Sequence, residues 1–406
     1  MSTTAPARTP AELRRWRNAV FAIFALNGLS ISTWASRVPA VRQDLHATTD
    51  VIGLMLSGMS LGAILGLIVA PIVAHRLGLR RGMLMAQLAS AVGLIIVGLG
   101  STVGHSLSVV SLGLLFLGFG NGCIDVQMNV SAADVERHIG KTIMPLMHGF
   151  FSIGTIIGAG AGAAAAALHL SVFVHTIVMA VVMVAGVAAS VRLVPEATND
   201  ATGSGEHIGF RARVAVWKDA SLVLIGVVML GMAFAEGSAN DWIALAAVDG
   251  HGRTQAQGAA ILDVFVIAMT IGRIAGGPLV DRIGRVTAIR VTAGLGIAGL
   301  LLFILAPAPW LYVVGAGLWG LGASLGFPLG MSAAADDERN ATVRVASVAM
   351  VGYLAFLAGP PLIGFLAGDF GILNALYLIF ALIVLAFVCA PAVRQRTFAK
   401  RDALGL

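Results

Sequence analysis

The chain has 406 residues, of which 58% are hydrophobic and only 11% are charged. A water-soluble domain cannot bury so much apolar surface, so the composition excludes a soluble class and indicates that a lipid bilayer is the solvent. The net charge of +6 comes from short basic clusters between apolar stretches, which argues against a nucleic-acid surface. The two cysteines, Cys123 and Cys389, give neither a disulfide framework nor metal-ligand spacing.

Twelve apolar stretches are each long enough to cross a bilayer as a helix, which takes about 20 residues. They run over 18–38, 50–74, 83–102, 107–133, 143–167, 170–191, 219–245, 256–280, 285–306, 309–334, 342–368 and 371–391. The basic N-terminal stretch 1–17 lacks the small-residue cleavage pattern of a signal peptide, so we interpret it as a cytoplasmic tail. The pattern predicts an all-α integral membrane protein with twelve transmembrane helices.

Basic residues indicate the orientation of these spans. With both termini inside, 22 of the 26 Lys and Arg residues fall in cytoplasmic segments. Arg42 and Arg253 fall in outer loops, while Arg37 and Arg273 fall within spans. By the positive-inside rule, we predict a multi-pass protein of a bacterial-type plasma (inner) membrane with both termini cytoplasmic.

The longest connection divides the spans six and six. We therefore predict an N-terminal six-helix bundle over 1–193, a cytoplasmic linker over 194–218 and a C-terminal six-helix bundle over 219–406. The halves also repeat, since the stretches 71–78 and 277–285 follow the second and eighth spans. Positions of the fourth and tenth spans align as well: Gly118, Gly120, Asp134, Glu136 and Arg137 fall on Gly320, Gly322, Asp336, Glu338 and Arg339. Parallel six-helix repeats are typical of secondary transporters.

The fourth span carries an unusual polar stripe. Asn121, Asp125 and Asn129 are spaced i, i+4 and i+8, so a helix places them on one face. An Asp at mid-membrane costs roughly 2.5–3.5 kcal/mol on insertion scales. We therefore predict that this face turns toward a cavity and lines a solute path, with Asn27 of the first span as a further substrate-binding candidate.

The stretch Gly277–Arg285 resembles the loop motif of the major facilitator superfamily, which reads Gly-x-Leu-x-Asp-Arg-x-Gly-Arg. The first-half copy departs from the motif, with Pro71 in place of Gly and His75 in place of Asp. The fourth span is similar to the fucose-permease-like branch, in which an acid is followed four residues later by Asn, as in Asp125 and Asn129. That branch also carries an acid on the first span, whereas residues 27–39 contain none.

This resemblance implies two pseudo-symmetric six-helix bundles that alternate access by rocking. It also implies proton-coupled symport of a small polar solute, a sugar or a related metabolite. In this superfamily the first and seventh spans flank the central axis, so Arg37 is expected to reach Glu236 or Asp241 as an outer gate. The alternative is that Arg37 snorkels to the interface and Asp241 caps its helix. The full set of gating candidates is Arg37, Asp241, Asp263, Arg76, Asp281, Arg282 and Arg285.

The proton-coupling candidates are Asp125, His148, Glu236 and Arg273. The helical rise places Asp125, Arg273 and His148 about 13, 12 and 10 Å from the inner ends of their spans. Because the fifth and eighth spans are neighbours in the superfamily, these three are expected to form a cluster. His titrates in the physiological range and can relay a proton. The alternatives are that His148 is a packing residue and that Arg273 pairs with loop acids.

The second half does not repeat the polar stripe. Its tenth span is aromatic instead, with Trp319 and Phe327, and the first span adds Trp34. An apolar ring that faces polar hydrogen-bonding groups suits a sugar, so these residues are predicted substrate platforms. Packing is the alternative for aromatic residues at helical spacing.

No phosphate-binding loop, nucleophile elbow or metal-ligand pattern occurs, so we expect no enzyme and no cofactor. We expect a monomeric secondary transporter whose partners are a small solute, protons and the bilayer, with no nucleic acid. A proton-driven exporter of drugs or amphipathic metabolites is the first alternative. Exporters of the superfamily tend to carry a Gly-Pro motif on the fifth span, and this chain lacks the motif there. A non-transporting membrane sensor or scaffold is the second alternative.

Overall fold

The computed structural model describes residues 9–46, 49–195, 216–253, 255–337 and 340–395, and the regular structure in these ranges is helical. Of the predicted linker 194–218, residues 196–215 lie outside the described ranges, as do Glu338 and Arg339 of the predicted repeat. The helices are α1 (Pro10–Ala35), α2 (Val38–Asp44), α3 (Thr49–Thr102), α4 (Leu107–Ile139), α5 (Met144–Ala167), α6 (Val172–Val191), α7 (Ala220–Leu245), α8 (Gln255–Ile283), α9 (Arg285–Leu305), α10 (Pro309–Ala323), α11 (Gly326–Ala334), α12 (Ala341–Phe370), α13 (Ile372–Ala375) and α14 (Tyr377–Cys389).

Among the described residues, eleven helical stretches are long and apolar enough to cross a membrane. One of them, Gly58–Thr102, has 45 residues, about twice the number that one crossing takes. Two helices meet at Gly78, whose φ of 74° and ψ of 166° are not helical and which therefore ends the first helix. The two arms correspond to the second and third predicted spans, so the eleven stretches contain the twelve predicted crossings.

Gly78 has a counterpart in the second half of the chain. Gly284, at the start of α9, has a φ of 77° and a ψ of 159°. Only glycine adopts this backbone conformation without strain. Each glycine stands at the same place in its copy of the repeated stretch, so the internal repeat extends from the sequence to the backbone.

The contacts divide the described chain into two compact units. Unit 1 takes residues up to Lys141 and from Phe150 to 195, and unit 2 takes Thr142–Gly149 and residues from 216 onward. In unit 1, α3 packs on α4 and α6, and α1 packs on α4 and α6. In unit 2, α7 packs on α12, α14 and α8, while α10 packs on α8 and α9.

Glycines allow the helices of both units to approach closely. A Cβ on Gly118 would overlap the backbone oxygen of Met59 in unit 1. At the aligned position in unit 2, a Cβ on Gly320 would overlap the backbone oxygen of Phe265. Small residues at helix crossings permit such contact in membrane proteins, so the repeat includes this packing as well.

Candidate functional site

The polar stripe of α4 lies inside unit 1. The helix begins after Ser106, whose side chain accepts a hydrogen bond from the Val109 N–H, and it ends at Gly140 in the left-handed conformation. Between these caps Asn121, Asp125 and Asn129 are 3%, 6% and 0% exposed. The three side chains are therefore buried on one face, because residues four apart lie one above another on a helix. That this face lines a solute path stays a prediction.

The stripe is only partly satisfied by hydrogen bonds. The Asn129 Nδ2 donates to the Asp125 carbonyl at 2.8 Å and to its carboxylate Oδ1 at 3.3 Å. Within the described part of the chain, the Asp125 Oδ2 and both amide atoms of Asn121 are buried without a hydrogen-bond partner. An unsatisfied buried polar group costs about 1–3 kcal/mol, so these atoms are available to a bound solute, water or proton.

Helix α1 contributes the buried amide of Asn27, and its Trp34 ring packs in the hydrophobic core. Asn27 is 1% exposed, and its Oδ1 has no hydrogen-bond partner among the described residues. Trp34 is 3% exposed and belongs to the hydrophobic core of unit 1, which includes Leu29 and Leu94. For Trp34 this environment favours the packing alternative over the substrate platform.

Two glutamines extend the buried polar groups of unit 1 and were missing from the sequence-based candidates. Gln87 on α3 and Gln127 on α4 are fully buried. Both side-chain amide atoms of Gln87 lack a partner in the described residues, and the Gln127 Nε2 contacts the Cys123 Sγ at 3.4 Å. Their polarity within apolar spans was the signal that could have identified them.

In unit 2 the main charged feature is an ion pair between neighbouring helices. The Arg273 Nη2 on α8 lies 2.7 Å from the Glu236 Oε1 on α7, and the two side chains are 6% and 12% exposed. Glu236 therefore has a basic partner inside its own unit. The expectation that Arg37 reaches Glu236 or Asp241 stays a prediction. For Arg273, the partner is a membrane-embedded acid instead of the loop acids considered above.

His148 lies near this pair, and two aromatic candidates of unit 2 differ in their surroundings. The charge of Arg273 acts on the buried His148, whose ring meets Phe327 edge-on with the ring centres 5.5 Å apart. Trp319 is fully buried and packs edge-on against Phe265 and Phe303. Trp319 is therefore in the setting of a packing residue, while Phe327 adjoins a titratable side chain.

The remaining gating candidates divide into paired and exposed residues. The Arg285 Nη1 contacts the Asp336 carboxylate at 2.9 Å, and its Nη2 donates to the Ser332 Oγ at 2.7 Å. The Asp281 Oδ1 accepts a hydrogen bond from the Thr142 N–H at 2.8 Å. The exposed candidates are Arg76, Asp241, Asp263 and Arg282.

Another ion pair of unit 2 was absent from the sequence-based candidates. The Arg344 Nη1 lies 2.6 Å from the Asp219 Oδ2, and the other Asp219 oxygen caps α7 by accepting from the Ser221 N–H. This pair joins the start of α7 to the first turn of α12. The sequence signal available for this pair was an acid just before one span, Asp219, and a basic residue at the start of another, Arg344.

A histidine outside the spans is enclosed by aromatic residues of unit 2. The His251 ring stacks on Tyr312 with centres 4.4 Å apart, and its Nε2 lies 2.8 Å from the Phe303 carbonyl. Burial lowers the pKa of His251 below its ordinary value of 6.5, and the charge of Arg253 lowers it further. The hydrogen bond to Phe303 opposes both effects on the pKa.

The fold and these buried polar groups define a multi-pass membrane transporter of α-helical bundles. The family model of the Major Facilitator Superfamily matches residues 20–340, and the chain belongs to this superfamily. It is therefore a transporter and not an enzyme. Within the described residues, no group of three His, Cys, Asp or Glu side chains could hold a metal ion.

Similar proteins agree with this assignment. A protein of Sinorhizobium fredii described as an uncharacterized transporter is 31% identical over 384 residues, which cover 94% of this chain and 99% of that protein. FucP in its outward conformation has a TM-score of 0.81 at 17% identity, with 94% of this chain and 99% of that chain covered. A second structure, described as the E. coli fucose:proton symporter FucP, has a TM-score of 0.77 at 17% identity and covers 94% and 98%.

A third solved structure extends the likeness beyond bacteria. The human organic anion transporter MFSD10 has a TM-score of 0.77 at 16% identity, with 94% of this chain and all of that chain covered. These structural likenesses confirm the predicted all-α major facilitator fold.

Proposed function

We propose that this transporter is a proton-coupled symporter of a small polar solute, a sugar or a related metabolite. The observation that carries the proposal is Asp125, a carboxylate on a membrane-spanning helix that is 6% exposed. Its Oδ2 has no hydrogen-bond partner among the described residues. No basic side chain among the described residues of unit 1 forms a salt bridge with Asp125.

The ionised and the protonated forms of the Asp125 side chain differ in the free energy of burial. An ionised carboxylate away from water is costly unless a cation or a set of hydrogen bonds compensates it. A protonated carboxyl group carries no such charge, and it can also donate a hydrogen bond. A proton that binds Asp125 when water enters, and leaves when water returns on the other side, would couple transport to the proton gradient.

The unpaired amides supply groups for a polar solute. Asn121 and Asn27 offer carbonyl oxygens without partners in the described residues, and Asn121 also offers its NH₂ group. Such groups can hold sugar hydroxyls, and leaving them unpaired would cost free energy in the empty site. A site that hydrogen-bonds its substrate rejects analogues lacking those hydroxyls more strongly than an apolar site rejects analogues of another size.

We propose a different role for the charged groups of unit 2. Glu236 and Arg273 neutralise each other across a 2.7 Å contact, so they can separate only if a proton, a solute or water replaces the lost partner. His148 lies within the field of Arg273 and is the candidate relay. The pair would act as a switch that responds to occupancy, while Asp125 takes up the proton.

The descriptions of two similar structures offer two substrate classes for comparison. One is described as a fucose:proton symporter, and the other as an organic anion transporter. We favour the first substrate class because the unpaired groups of unit 1 include neutral amides. We further propose the inner membrane as the location, both termini on the cytoplasmic side, and a monomer as the working form.

The proposal is tested with purified protein in proteoliposomes that enclose a pH-sensitive dye. A panel of sugars and related metabolites is added outside at equal pH, with and without a protonophore that dissipates any pH difference as it develops. We expect at least one solute to acidify the interior as it enters, at a rate that saturates with solute concentration. No solute-dependent proton movement across the whole panel would contradict symport, and efflux of amphipathic drugs from expressing cells would favour the exporter.

A further inference from the structure

A second group of buried polar atoms in unit 1 lies apart from the stripe of α4. Arg37 stands between α1 and α2 and is 4% exposed. Its Nη2 donates to the Leu170 carbonyl at 2.7 Å. The Nε and Nη1 of Arg37 are buried without a hydrogen-bond partner among the described residues. The guanidinium thus uses one of its nitrogens and leaves two unused.

The charge of this guanidinium is also uncompensated within unit 1. No carboxylate among the described residues of that unit forms a salt bridge with Arg37. Arginine cannot lose its proton in a protein, and burial of an unpaired ion costs several kcal/mol. A lysine or histidine could become neutral in such a place, but Arg37 requires a negative partner.

His175 supplies the second half of the group. It lies on α6, is 4% exposed, and both ring nitrogens are buried without partners in the described part of the chain. The charge of Arg37 acts on this ring. In either tautomer the ring presents one N–H donor, so two buried side chains offer unused donors close to one positive charge.

The start of α6 strengthens the attraction for an anion but supplies few donors. The N–H groups of Phe173 and Val174 are already bonded to the Thr102 and Ser171 hydroxyls. The helix therefore contributes the positive end of its dipole, and the donors come from the side chains of Arg37 and His175. A compact anion suits this arrangement, because it needs few partners.

We propose that Arg37 and His175 form a binding site for one small monovalent inorganic anion, with chloride as the representative. The site stands apart from the proton and solute groups of α4, so it can exist whether or not the protein is a symporter. The bound anion would neutralise Arg37 and hold together α1, α2 and the turn before α6. We expect the folded protein to be more stable when the anion is present.

Thermal unfolding and direct binding test this site in the full-length protein in detergent. Sodium gluconate is replaced by sodium chloride at constant ionic strength, and the apparent Tm and the binding of radioactive chloride are recorded. We expect a saturable rise in Tm and saturable binding of one chloride per chain. Arg37→Gln should abolish both signals, and His175→Ala should weaken chloride binding by about tenfold, the effect of one hydrogen bond to a charged group.

The matched control is Arg42→Gln, which removes an exposed arginine from α2, the short helix that follows Arg37, and should leave the chloride response unchanged. An equal chloride response in Arg37→Gln would overturn the proposal, as would a wild-type protein with neither signal. A response that appears only in Asp241→Asn would also overturn it, because a protein carboxylate would then be the native partner of Arg37. If Arg37→Gln does not fold, the His175→Ala measurement decides.

Discussion

Two carboxylates on membrane-spanning helices, the buried Asp125 and the part-buried Glu236, occupy opposite electrostatic settings. Glu236 lies 2.7 Å from the Arg273 guanidinium, so its negative charge is compensated. Among the described residues, the Asp125 carboxylate receives only the amide of Asn129, at 3.3 Å. Proton binding is favoured where a charge lacks a partner, and an ion pair opposes it. This contrast leads us to assign the proton to Asp125 and the switch to the pair.

The ion pair yields a prediction about stability. Arg273→Gln leaves Glu236 buried without its cation, and we expect a loss of about 3–5 kcal/mol, seen as a large drop in apparent Tm. Arg273→Gln combined with Glu236→Gln should recover much of that loss, since no buried charge remains. The matched control is Arg282→Gln, an exposed position on the same helix. Equal stability of Arg273→Gln and wild type would show that the pair is not formed.

The sequence predicted the depth of these residues but not their partners. Counting along the spans placed Glu236 and Arg273 within the membrane. The rotation of each helix about its axis depends on packing with its neighbours, and no pattern in one sequence fixes it. For the same reason Trp34 and Trp319 were predicted as platforms, although the structure packs both among apolar side chains.

At the scale of elements, the two halves share their helix crossings and differ in their helix ends. Gly118 and Gly320 make equivalent contacts in units 1 and 2, as the sequence alignment of the halves predicted. At the ends, Arg285 binds Asp336 in unit 2. The position after the repeated glycine of unit 1 is Leu79, and Asp134 pairs with Arg137 of its own helix. The two halves therefore share the glycine contacts at their helix crossings but not the ion pairs at their helix ends.

The glycine contact on α4 can be tested with a matched pair of substitutions. Gly118→Ala adds a methyl group where the Met59 backbone leaves no room, and overpacking of this kind costs typically about 1–3 kcal/mol. Gly160→Ala adds the same group on α5, where no described atom beyond its own stretch of helix lies within 4 Å of the added Cβ. We expect a lower apparent Tm for the first variant. The second should equal or exceed wild type, because Ala favours a helix over Gly. Equal effects would contradict the account of the crossing.

The connection after α7 yields a pH prediction. Burial lowers the folded-state pKa of His251 below 6.5, so the unfolded chain binds a proton more readily than the folded chain. The stabilisation is therefore complete above 6.5 and is lost as the pH falls below it. His251→Gln cannot take up this proton but can still donate to the Phe303 carbonyl. We expect its Tm to fall less than that of wild type between about pH 7.5 and about pH 5.5, and parallel curves would contradict this.

At the scale of the whole molecule, hydropathy and internal repetition predicted most of the architecture. The apolar stretches became helices, and the family followed from the motif at Gly277–Arg285. The second and third spans were expected as separate helices, and they are two helices that meet at Gly78, whose backbone is not helical. A single glycine with positive φ can redirect the chain, so no longer loop is needed.

The same scaffold thus carries unequal chemistry in its two halves. In the described part of the chain, unit 1 holds buried carboxylate and amide groups with unused hydrogen-bonding atoms, and unit 2 holds compensated ion pairs. Alternating access requires both halves, but proton binding requires only one titratable group that meets water in turn from each side. We therefore propose that proton coupling depends on Asp125.

The most direct test of this claim compares accumulation with exchange in Asp125→Asn. In proteoliposomes with an imposed proton gradient, wild type should concentrate its solute, and Asp125→Asn should not. Counterflow exchange of labelled for unlabelled solute should persist in the variant, because exchange needs no net proton movement. Asp369→Asn, which alters an exposed carboxylate at the end of α12, should retain both activities. Full proton-driven accumulation by Asp125→Asn would contradict the account.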